Sequence, residues 1–191
     1  MKRLPEYLPI AGYCIKNSIV DICAIKTPHM KYIITAALIF CTTILQAQDY
    51  KLEGNEVKIE KQVLFETGSA ILKPESTAAL EIIKKYLEDK SYISLLRVEC
   101  HTDNSGNNDV NQTLSEKRAL AVCKELVKLG VDCKRLIAVG FGSTKPVADN
   151  TTPDGKAANR QVSFMNAALR NHPIGGIPVD GGGKVAGDSC N

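Results

Sequence analysis

Tryptophan is absent from the 191-residue chain, and Tyr and Phe together supply only 5% of it. A sugar-stacking lectin platform or a single-strand nucleic-acid surface, each built on aromatic faces, is therefore not expected. Charge of one sign is also scarce: 24 basic residues against 21 acidic ones leave a formal +3. That is too little for the clustered Lys/Arg footprint of a nucleic-acid binder. Three scattered histidines (His29, His101, His172) offer no zinc spacing. Seven cysteines are too few for a disulfide-dominated scaffold. The main apolar run, residues 32–45 (YIITAALIFCTTIL), falls short of the roughly 20 residues that a membrane span needs.

That run instead has the form of a secretory signal. Met30-Lys31 precedes it, and the small and polar residues Gln46-Ala47-Gln48-Asp49 follow, placing cleavage after Ala47. Residues 30–47 are accordingly read as a signal peptide and residues 1–29 as an upstream extension from a misassigned start. A genuine extension followed by a signal anchor is the alternative. Cys41, preceded by bulky Phe40 and early in the apolar run, is an apolar filler rather than a lipidation site.

Regular patterning begins after a short linker at 48–55. Val57–Phe65 alternates as a strand with one buried face. Pro74 suits a first helical turn, and Leu80, Ile83 and Leu87 place an apolar stripe on a helix to Asp89. Leu95–Cys100 reads as a second strand and the polar run 101–111 as a loop. A helix over 112–129 buries Leu114, Ala119, Val122, Leu126 and Leu129, and Gly130 caps it. Strands at Leu136–Phe141 and Arg160–Met165 flank a long loop. The order β-α-β-α-β-β predicts an α+β two-layer sandwich, two helices on a mixed four-stranded sheet, over residues 56–168. The Gly-rich residues 169–191 read as a flexible or loosely docked tail.

Several chemistries fail on inspection. Cys100 and His101 are neighbours on a strand, so they point to opposite faces and cannot share a proton. Gly140–Lys145 evokes a phosphate loop, but Pro146 follows the lysine and the spacing is wrong. The Asp103–Asp109 loop hints at calcium, yet Leu114 stands where a bidentate Glu is required. No nucleophile–base–orienter set is left. The expectation is a protein that is not an enzyme, with no cofactor and no metal.

One constellation survives. His101-Thr102-Asp103 ends a strand, and Asn111-Gln112-x-Leu114-Ser115-x-x-Arg118 follows on a helix. Pro74-Glu75 lies upstream; Gly140-Phe141-Gly142-Ser143-x-x-Pro146 and Asn159-Arg160-x-Val162 lie downstream. The ordered set over about residues 56–166 resembles the OmpA-like C-terminal domain, shared with peptidoglycan-associated lipoproteins and flagellar stator proteins. Gln161 and Cys100 depart from it, standing where that family usually has Arg and Gly. The resemblance implies non-catalytic binding of cell-wall peptidoglycan through diaminopimelate, held by an Asp and an Arg; the matching positions are Asp103 and Arg118.

The chemistry is sound on its own terms. The free end of diaminopimelate carries an ammonium beside a carboxylate; an Asp accepts from the first, and an Arg fork grips the second. Arg118 lies two turns into its helix and leans back toward the loop of Asp103. N–H groups near Gln112 and Thr113 are expected to add anion affinity. Thr102, Asn111, Leu114 and the Thr67-Gly68 turn are expected to line the pocket. Arg160, entering a strand, is read as structural, paired with a loop carboxylate.

The implied setting is the periplasm at the outer membrane, with peptidoglycan as partner and outer-membrane proteins as further ones. An envelope interaction module with a vestigial pocket is the alternative. Cys100, Cys123, Cys133 and Cys190 follow the cleavage point, allowing three disulfide connectivities; Cys190 would staple the tail, while Cys100 and Cys123 are equally readable as buried thiols. Residues 1–47 carry five basic and two acidic residues, so the remainder has 19 of each sign. Long-range attraction to an anionic wall is therefore not the expected mode of binding.

Overall fold

A computed structural model describes residues 49–175 and 181–191; the extension, the signal peptide and Cys41 lie outside them. The chain enters as a hairpin, β1 (Tyr50–Glu53) against β2 (Glu56–Ile59), with Tyr50 opposite Ile59. The expected linker is thus largely a strand. Tyr50 anchors it, buried with its ring edge-on to Tyr86 at 5.0 Å. β2 is correspondingly shorter than the expected strand to Phe65, which instead meets Leu72 across the turn at 66–71.

A 3-10 turn at Pro74–Ser76 leads into α1 (Thr77–Asp89), which buries Leu80, Ile83 and Leu87 as expected, and Ala79 and Tyr86 as well. β3 (Ile93–His101) is the central strand. α2 (Asn108–Lys128) starts a turn earlier than its apolar stripe suggests, because the Asn107 side chain accepts from Asp109 N and Val110 N. Beyond it, Gly130 takes a left-handed φ of 103°, as a C-terminal cap requires. After β4 (Leu136–Gly142) the expected loop holds a short helix, α3 (Pro153–Asn159), started by the Thr152 side chain accepting from Gly155 N at 3.0 Å. β5 (Val162–Leu169), β6 (His172–Pro173) and β7 (Lys184–Val185) complete the chain.

The sheet runs β1-β2-β5-β3-β4-β7, with β6 on β5. Its middle, β2-β5-β3-β4, is the expected four-stranded mixed sheet: β3 and β4 are parallel, and the other two pairings are antiparallel. The core lies between one sheet face and the helices, where Leu96, Val98, Cys100 and Phe164 meet Ile83, Tyr86, Val122 and Leu126. Arg97, Glu99 and His101 alternate with these along β3. Glu99 is buried, with Arg97 Nε at 2.6 Å and both His101 Nε2 and Lys145 Nζ at 3.6 Å. His101 stacks on Phe141, while Cys100 sits in the core.

One glycine sets the helix–sheet spacing where it matters. A side chain at Gly140 would strike the Glu116 backbone and come within 2.6 Å of Ser115 Oγ. Its absence lets α2 press on β4, where Gln112 Nε2 donates to Gly140 O and Gly142 N to Ser115 Oγ, each at 2.8 Å. The first turns of α2 are thereby held over the C-terminal ends of the parallel pair β3–β4.

Of the two readings of the tail, flexible or loosely docked, its described end, residues 181–191, fits the docked one. β7 pairs antiparallel with the β4 edge, Ala186 N donates to Ala138 O at 2.9 Å, and Cys133 is bonded to Cys190. Cys100 and Cys123 are buried free thiols; burial pushes both thiol pKa values up, that of Cys123 to about 12.

Candidate functional site

Asp103 follows the last residues of β3, in a loop tied down from three sides. Thr102 N donates to Gly142 O at 2.8 Å, joining the loop to the end of β4. Asn111, buried on α2, donates through Nδ2 to Asp103 O at 3.2 Å and to Ser105 O at 2.9 Å. Lys156 Nζ on α3 reaches Ser105 Oγ at 3.2 Å. Asn111 is thus a brace for the loop backbone.

The Asp103 side chain is only 12% exposed, and both its oxygens are engaged: Oδ1 accepts from Ser105 N at 2.8 Å and Oδ2 from Arg160 Nη1 at 2.6 Å. Burial opposes ionisation, but the hydrogen bonds from Arg160 and Ser105 outweigh it and hold the carboxyl below the usual aspartate range. Arg160 is the partner of the loop carboxylate, 57 residues away in sequence.

Arg118 does not bond Asp103 directly. Its Nε donates to Ser69 O at 2.8 Å and its guanidinium lies 4.9 Å from the centroid of the Phe65 ring. These contacts fix the plane of the fork; among the described residues no hydrogen bond uses either Nη. Burial lowers its pKa, with repulsion from Arg160 adding to this and attraction to Asp103 opposing it. Among the described residues the ion pair is Asp103–Arg160, while Arg118 is held by Ser69 O and Phe65.

Ser69 also lines a groove of about 600 Å³, together with Gly68, Ala70, Val110, Leu114 and Lys117. Of the expected pocket residues, Gly68 and half-buried Leu114 border this groove, and Thr67 is exposed beside it. Thr102 is buried, and its Oγ1 has no hydrogen-bond partner among the described residues. The N–H groups of Gln112 and Thr113 do not form an anion site, because α2 already begins at Asn108 and its first free donors are capped by Asn107. Phe65, Ser69, Ser105 and Lys156 enter the site unforeseen. Only Ser69, beside the Thr67-Gly68 turn, stood next to a residue that the motif marked.

The Asp103 geometry carries a prediction. Its carboxyl carbon, followed by NMR, should titrate below the ordinary value of about 3.9, and Arg160→Met should move that titration upward. Because the folded-state pKa is depressed, the stability it contributes is present above the unfolded pKa and is lost as pH falls through the folded one. A midpoint unchanged by Arg160→Met would show that Arg160 does not set it.

A two-layer α+β domain with an Asp–Arg cluster at the ends of its parallel strands is the class of binding domain that the motifs imply. The family model of the OmpA family matches residues 64–160, a span that holds Asp103, Arg118 and Arg160, and the chain belongs to that family. The outer-membrane lipoprotein YfiB of Pseudomonas aeruginosa is 37% identical over 124 residues, covering 64% of this chain and 73% of that protein. Outer membrane porin F of Pseudomonas fluorescens is 38% identical over 106 residues, 56% of this chain; the match spans only about a third (32%) of the porin. Among solved structures, the cell wall anchor of the T6SS from Pseudomonas aeruginosa aligns with a TM-score of 0.53 at 29% identity, covering 67% of this chain and 94% of that one.

Proposed function

We propose that this chain is a non-catalytic module of the cell envelope that binds peptidoglycan through the diaminopimelate of its peptide stems, on the periplasmic side of the outer membrane. The observation that carries the reading is a nearly buried Asp103, held ionised by Arg160 and Ser105, together with an Arg118 on the following helix whose fork end is unspent among the described residues. The ligand ammonium donates to the remaining lone pairs of Asp103, and the adjacent carboxylate takes both Nη groups of Arg118. Arg160, Ser105 and Asn111 hold the acceptor; Ser69 and Phe65 hold the donor. The site is thus organised before the ligand arrives, which limits the ordering cost of binding. Relatives that are outer-membrane proteins and a solved cell wall anchor support the same setting.

The test is co-sedimentation of the purified chain with insoluble peptidoglycan of the diaminopimelate type, with lysine-type peptidoglycan as the comparison. Retention on the first and release from the second is the expected result. Equal retention on both would overturn diaminopimelate as the ligand, and retention on neither would overturn wall binding.

A further inference from the structure

A second cleft opens where two paired strands part. β2 and β5 pair antiparallel at only two positions, Glu56 with Met165 and Val57 with Phe164. The same register includes Asn166 N donating to Asn55 O at 2.7 Å. Antiparallel partners exchange hydrogen bonds at alternate residues, so the next bonded pair in this register would be Ile59 with Val162. That pair is not formed. The strands diverge instead into a cleft of about 370 Å³, with Ile59 and Val63 on one wall and Val147, Ala158 and Val162 on the other. On their far sides Ile59 stands opposite Tyr50 of β1 and Val162 opposite Cys100 of β3, so each strand turns one open edge to the cleft. The fork is built rather than frayed. Beyond β2 the Leu64 backbone is held through both its N–H and its C=O by buried Ser76 Oγ, each at 2.8 Å. Across the cleft Val147 N and Ala148 N donate to Oδ1 of buried Asn159 at 2.7 and 2.9 Å. Each wall thus has its own anchor. Of the charged groups that line the cleft, Lys58 is paired with Glu56 and Arg160 with Asp103, which leaves Lys61 without an ion pair among the described residues.

We infer that this fork is a docking slot for an extended peptide segment of a partner protein, one that alternates apolar and acidic side chains. It is a separate site and does not rest on the diaminopimelate reading. A strand laid in the cleft takes up the main-chain pairing that Ile59 and Val162 do not make with each other. A helical partner, with its main-chain groups bonded internally, would leave both edges unused. Successive side chains of a strand point to opposite faces. Apolar ones on one face meet half-buried Ile59, Val63 and Val162, and the carboxylates between them find the unpaired Lys61. Exposed Leu64 and Val147 extend the apolar surface at the same cleft.

The probe is an end-blocked heptapeptide of alternating Val and Glu, titrated against the full chain while amide exchange is followed by NMR. Binding is expected to slow exchange at the Ile59 and Val162 amides. Methylating alternate peptide nitrogens, which removes main-chain donors and leaves the side chains, should weaken binding at least about tenfold. The same peptide with Lys in place of Glu should bind less well, and Lys61→Glu should narrow that difference at least about threefold. Ala158→Trp, on the exposed side of α3, should fill the cleft and block the peptide in a protein that melts as the unaltered one does. Failure of the Val–Glu peptide to bind, binding without protection of those two amides, or binding undiminished by Ala158→Trp would each overturn the inference. So would protection already present without peptide and lost on dilution, because the occupant would then be a second copy of this chain.

Discussion

Arg118→Ala is expected to abolish retention on diaminopimelate-type peptidoglycan, with affinity reduced at least about a hundredfold. Truncating one member of a hydrogen-bonded, partly buried charge contact costs about 2–5 kcal/mol, much of it from leaving the other charge unpaired. Here the orphan would be the ligand carboxylate. Arg118→Lys should recover little, because an ammonium lacks the two parallel donors that match a carboxylate. The fold should lose about 1 kcal/mol or less through the missing Phe65 contact, so a thermal melt separates the two effects.

Asp103→Ala should match this loss by another route, since it removes the ammonium's acceptor and also strands Arg160, whose Nη1 is bonded to it. Asp103→Asn keeps the shape but loses the charge and sets its amide donor against either Arg160 Nη1 or Ser105 N, so it too should fail. Undiminished binding by both alanine variants, measured on folded protein, would refute the site.

Asp103 and Arg118, the residues proposed to bind the ligand, could be marked in the sequence because each sits in a contiguous motif: the carboxylate at a strand end and the guanidinium on the helix that follows. What those motifs could not reveal was the cradle. Arg160 was visible as a cation entering a strand, but its partner lies 57 residues away and depends on β5 pairing antiparallel with β3, Cys100 opposite Val162. Ser69 binds Arg118 through a backbone carbonyl, a contact that carries no residue signature. The central four strands showed themselves by alternation and the helices by their stripes. β1 did not, because four residues with a single buried side chain cannot be told from a linker by period alone. α3 was hidden by its polarity, although Thr152-Pro153, a cap followed by a first-turn proline, was a usable start signal. β7 has two residues among glycines, and only the sheet edge and the disulfide define it.

Cys190→Ser is expected to lower stability by about 2–4 kcal/mol and the melting temperature by about 10 °C, while leaving wall binding intact. The bond joins residues 57 apart, so in the chain-entropy account it removes a large share of the freedom of the unfolded chain, near 4 kcal/mol as an upper figure. The native tail also depends on it: the two-residue β7, the Ala186–Ala138 hydrogen bond and the contact of Ser189 with the Cys123 thiol are together a small interface. Once released, Lys184 should become a site of rapid tryptic cleavage, detected as a mass loss that reductant also induces in the unaltered protein. Binding should survive because Cys133 precedes β4, whereas Asp103 follows the far, C-terminal end of β3. An identical melting temperature with and without reductant would show that the noncovalent contacts alone hold the tail. A parallel loss of wall binding would instead show that the β4 edge and the Asp103 loop act as one unit, coupled through the Thr102–Gly142 hydrogen bond.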